Sequence, residues 1–61
     1  MKYIEIIKKY YNKDMMLWQV TFQIHGQVNF RGDPDINMVG VEDKNMIDDE
    51  ILMNFLNLTY L

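Results

Sequence analysis

The chain has 61 residues, a net charge of −3 and an isoelectric point near 4.7, with no cysteine and one histidine. That length supports one domain, 1–61, with a thin core, and the missing thiols exclude disulfides, Cys-ligated zinc and cysteine nucleophiles. The acidic balance argues against direct contact with nucleic acid, because phosphate binding needs clustered Lys and Arg.

From Tyr3 to Tyr11 the apolar positions are Tyr3, Ile4, Ile6, Ile7, Tyr10 and Tyr11, with Lys2, Glu5, Lys8, Lys9 and Asn12 between and beside them. This spacing predicts a first helix with one apolar face, and lysines near its end suit the helix dipole. The competing reading is a strand over Tyr3–Ile7, since Ile and Tyr favour strands. Asn12, Lys13 and Asp14 break the pattern.

Next comes an alternation in which Met16, Trp18, Val20, Phe22 and Ile24 are apolar, resuming at Val28 and Phe30 after Gly26. A period of two defines a sheet with one buried face, and it places Gln19, Thr21, Gln23, Gln27 and Asn29 on the other. One strand from Met15 to Phe30 would exceed ordinary lengths, so a three-residue reversal at His25-Gly26-Gln27 is expected, with Ile24 opposite Val28. Gly32-Asp33-Pro34-Asp35 is the next turn, and Ile36–Val41 the next strand.

After the polar break Glu42–Asn45, Asn45 is the expected N-cap of a second helix reaching about Leu58. Asp48, Asp49 and Glu50 lie in its first turn, and Ile47, Ile51, Leu52, Phe55 and Leu56 on its packed side. The expected fold is α+β: a helix, a three-stranded antiparallel meander and a helix (αβββα), with both helices on one sheet face. Met16 is placed in the core with Met38 as a second candidate, while Met15, Met46 and Met53 are candidates for an adaptable surface.

Motifs for chemistry are weak. Asp33-Pro34-Asp35-Ile36-Asn37 imitates the opening of an EF-hand loop, but Met38 replaces the required glycine and Lys44 the bidentate glutamate. Arg31-Gly32-Asp33 and Asn57-Leu58-Thr59 match short extracellular signals by chance. His25 alone offers no nucleophile and no second metal ligand, so no enzymatic activity, no cofactor and no metal are expected. The expected location is the cytoplasm, or the host cytoplasm for a phage-encoded chain. There is no apolar run of signal-peptide or membrane-spanning length.

Charge is distributed unevenly. Met1–Asp14 has a balance of plus two, and Gly32–Glu50 one of minus six, carried by Asp33, Asp35, Glu42, Asp43, Asp48, Asp49 and Glu50 against Lys44. Such an acidic band has two readings: turn and cap chemistry with solubility, or a surface that steers toward a basic partner. The helix-sheet-helix order is also that of double-stranded RNA-binding domains, yet Asp48, Asp49 and Glu50 stand where that family presents basic residues.

In size, acidity and gross plan the chain resembles phage-encoded inhibitors of nucleic-acid enzymes, including anti-CRISPR proteins and uracil-DNA glycosylase inhibitors. No motif carries the resemblance. It implies a non-enzymatic protein-binding module from a phage or mobile element, which inhibits or adapts a host nucleic-acid enzyme through an acidic, DNA-mimicking surface. The alternative is a structural homodimer subunit whose interface is the uncharged sheet face.

Overall fold

A computed structural model describes residues 1–42 and 48–61. Three strands, β1 (Tyr3–Asn12), β2 (Leu17–Val28) and β3 (Pro34–Val41), form an antiparallel sheet in the order β1-β2-β3, followed by one helix, α1 (Asp49–Tyr60). The meander and the C-terminal helix follow the sequence reading. The N-terminal helix does not: residues 3–12 are a strand.

A bulge explains the misreading. Ile6 pairs with Phe22 and Lys8 with Thr21, so Ile7 is an extra residue without a partner on β2. Side chains alternate on either side of the bulge but change phase across it. Ile4 and Ile6 face the helix before it, and Lys9 and Tyr11 do so after it, opposite Val20 and Trp18. A phase jump inside a period of two leaves apolar residues three and four apart, which is the helical signature.

β2 is likewise longer than expected. It runs 12 residues without reversing, because Gly26 (φ +88°) lets it continue beside the first residues of the chain. A Cβ on Gly26 would lie 2.5 Å from the Met1 carbonyl oxygen, so only glycine permits that approach. No loop forms at His25–Gln27, and Ile24 is paired with Ile4 and Asp35 rather than with Val28. The irregularity survives as a register shift on the β3 side between Ile24 and Val28.

The two turns are built by asparagine side chains. Asn12 Oδ1 accepts hydrogen bonds from the backbone N–H groups of Asp14 (3.0 Å) and Met15 (3.2 Å), closing the loop between β1 and β2. Asn29 Oδ1 accepts from Arg31 (2.8 Å) and Asp33 (3.0 Å), with Gly32 at φ +85° completing the turn into β3. Short side-chain carbonyls that mimic a backbone acceptor favour such turns over a continued ladder.

The core lies between one sheet face and α1. It consists of Ile4, Val20, Phe22, Ile24, Leu52 and Leu56, flanked by Ile6, Trp18, Val39, Val41 and Met53. Phe22 stacks at a tilt on Tyr60, ring centroids 4.8 Å apart. Met16, Val28, Phe30 and Met38, in the core phase or proposed for it, are exposed instead; Phe30 is 94% accessible, because the chain turns after Val28. Among the strands, only β1 has Cα atoms within 8 Å of α1, so the helix sits over one side of the sheet.

The helix starts later than expected. Asp48 itself is the N-cap, its Oδ1 accepting from the Ile51 N–H at 2.9 Å, with Asp49 and Glu50 in the first turn. Asn45 and Ile47 lie outside the described residues. Leu52 and Leu56 are buried as expected, whereas Ile51 and Phe55 turn outward and join Leu58 in an exposed apolar stripe at i, i+4 and i+7. No helix among the described residues is long and apolar enough to cross a membrane.

Candidate interaction surface

The face of the sheet away from α1 is assembled from all three strands. β2 supplies Gln19, Thr21 and Gln23 at its centre, all half-buried by neighbouring side chains. β1 places Tyr10 beside Gln19, Lys8 beside Thr21, Glu5 beside Gln23 and Tyr3 beside His25. β3 places Gly40, Met38 and Ile36 on the other side of the same three central residues. A row of neutral polar side chains is therefore flanked by Tyr10, Lys8 and Glu5 on one side, with Tyr3 at the end, and by Gly40, Met38 and Ile36 on the other.

This face is neither as uncharged nor as polar as the sequence alone implied. Glu5 and Lys8 bring charge to it, while Tyr3, Tyr10, Ile36 and Met38 are each more than half exposed and bring apolar area. The helical reading of residues 3–11 hides Tyr3 and Tyr10 from the sequence, and the core placement of Met38 hides that residue. For Ile36 and Met38 a signal existed: they lie in the opposite phase to Val39 and Val41, so β3 presents apolar residues on both faces. Lys8, Tyr10, Gln19, Thr21 and Met38 line a shallow depression of about 90 Å³, well below ordinary small-molecule sites.

Gln27 and Asn29 do not join that row. The Gln27 amide donates to the Asp35 carboxylate, and Asn29 is committed to its turn. His25 is held by a parallel stack on Tyr3, centroids 4.5 Å apart, and by Glu5 Oε1 at 2.7 Å from its Nε2. The imidazole forms an ordered rim at one end of the face.

The acidic residues divide between places. Asp33 precedes β3, Asp35 is its second residue and Glu42 lies beyond its end, about 23 Å from Asp35 at ordinary strand rise. Asp48, Asp49 and Glu50 gather at the start of α1. Asp43 is outside the described residues. Several of these carboxylates have internal work: Asp35 accepts from Gln27 and Asn37, Asp48 caps the helix, and Asp49 pairs with Lys9 at 2.9 Å. Among the described residues no three His, Asp or Glu side chains converge to hold a metal ion.

Comparison with known proteins returns no matching family model, no matching curated protein and no matching solved structure. The chemistry of the surfaces carries the functional argument.

Proposed function

We propose that this chain is a non-enzymatic protein-binding module whose recognition surface is the open sheet face. The observation that carries this reading is the exposure of Tyr3, Tyr10, Ile36 and Met38 around the neutral row Gln19, Thr21 and Gln23. Tyr and Met are enriched at interface cores, and neutral amides supply hydrogen bonds without the desolvation cost of a charge. A flat sheet face that carries half-exposed apolar side chains on both flanks fits a protein surface better than a small molecule.

The acidic, phosphate-imitating reading has weaker support. A mimic needs carboxylates in a continuous row, and here Asp33 and Asp35 are separated from Glu42 by the length of β3. Asp48, Asp49 and Glu50 at the helix start act in this reading as a steering patch that speeds encounter with a basic partner.

Photo-crosslinking in cells of the source organism tests the proposal. A photoreactive residue at Thr21 or Tyr10 is expected to capture one partner protein, and one at Leu58 or Glu50 is not. Capture from Glu50 alone would transfer recognition to the acidic patch.

A further inference from the structure

We infer that β3 is an open sheet edge that pairs antiparallel with β3 of a second copy, joining two chains into one six-stranded sheet. The two outer strands are guarded very differently. β1 carries the Ile7 bulge together with Glu5, Lys8 and Lys9, and α1 lies over it. Bulges, charges and covering helices are the devices that stop an edge from accepting another strand. Among the described residues β3 has none of these from Ile36 to Val41: Ile-Asn-Met-Val-Gly-Val contains no charge and no proline, and its ladder to β2 is regular from Ile24–Asp35 to Trp18–Val41.

A second copy is the occupant for three reasons. Pairing about a two-fold axis at Met38 sets 36–40 of one strand against 40–36 of the other, uncharged residues throughout, so this stretch is its own complement. Met38 then lies directly opposite Met38 of the second copy, with Ile36, like it more than half exposed, diagonal to that residue. Finally, the protomer buries only six side chains among its described residues, without a disulfide, and a chain of this size commonly gains stability from a second subunit.

Charge gives the pairing a signature. Antiparallel alignment brings the Asp33 and Asp35 end of one strand beside Glu42 of the other, so carboxylates flank the joint at both ends. The edge pairing is therefore strengthened by salt, which screens them; binding through the acidic patch to a basic partner is weakened by it. The joined sheet also places two open faces side by side, independently of what those faces bind.

Sedimentation velocity on the full chain at rising concentration and at two salt levels tests this, with circular dichroism verifying the fold of each variant. The expected result is a dimer that strengthens several-fold from 0.05 to 0.5 M salt. Ile36→Lys with Met38→Lys should abolish it, because both sites are exposed and lysine blocks an edge. Thr21→Lys, in the centre of the face, and Leu58→Lys, on the outer side of α1, should leave it intact. A monomer at every concentration overturns the inference, as does a dimer lost on Thr21→Lys or Leu58→Lys but retained in the edge variant. Amide exchange supplies a second readout: protection in β3 should rise with concentration while that in β1 does not.

Discussion

Lys9 Nζ lies 2.9 Å from Asp49 Oδ1, so a strand residue that the bulge turns toward the helix holds the first turn of α1 from forty residues away. The same ammonium lies 5.4 Å from the centroid of the Trp18 ring. Sequence order alone placed Lys9 on the solvated side of a helix. The register places it at the joint between sheet and helix.

A double-mutant cycle on Lys9→Met and Asp49→Asn should give a coupling of about 0.2–1 kcal/mol. The side chain of Asp49 is 77% exposed, which keeps the coupling at this scale and makes it shrink with added salt. Urea denaturation at low and high salt measures it. A coupling indistinguishable from zero at low salt would show that the cap at Asp48 alone fixes the helix start.

Leu52→Ala and Leu58→Ala should separate the two faces of α1. Leu52 is fully buried, and its truncation should cost about 2–4 kcal/mol, comparable with the whole stability of a chain this size. Leu58 is 88% exposed, so its truncation should stay within about 0.5 kcal/mol. Thermal unfolding followed by circular dichroism distinguishes the two. Equal losses would mean that the outer stripe is buried in solution.

The glycines make a second matched pair. Gly32 has φ +85° with open space around a built Cβ, so Gly32→Ala should cost about 1–2 kcal/mol from backbone conformation alone. Gly26 has φ +88° and meets the Met1 carbonyl as well, so Gly26→Ala should cost more than Gly32→Ala. Removing the first two residues should then relieve part of the Gly26→Ala penalty and none of the Gly32→Ala penalty. Denaturation midpoints of the two glycine variants and the unsubstituted chain, each full-length and truncated, decide it.

Deleting Ile7 should be tolerated within about 1 kcal/mol, since Ile6 and Lys8 already pair with the consecutive residues Phe22 and Thr21. Deleting Thr21 instead would turn every later side chain of β2 to the opposite face and should abolish folding. Amide exchange and circular dichroism distinguish the outcomes. The Ile7 deletion also removes the bulge that guards β1, so it should raise the tendency of the protein to self-associate.

Much of the plan was readable from local chemistry. The alternation of Trp18, Val20, Phe22 and Ile24 determined one buried sheet face, because period two is a property of the strand backbone itself. The carboxylates Asp48, Asp49 and Glu50 marked the start of a helix, and Leu52 and Leu56 its packed side, because caps and dipoles act within one turn. The break at Asn12 and the turn around Gly32 were legible for the same reason.

Tertiary structure decided the rest. Whether residues 3–12 are helix or strand depends on the partner β2 offers, since a bulge hides a period of two and only cross-strand pairing distinguishes it from a helical stripe. Whether β2 turns back at Gly26 depends on the Met1 backbone occupying the space beside it, a contact between residues far apart in sequence. The candidate surface needed both decisions. Gln19, Thr21 and Gln23 were visible in the sequence as a neutral row, but Tyr3, Tyr10, Ile36 and Met38 join them only through the register of two neighbouring strands, which local sequence does not encode.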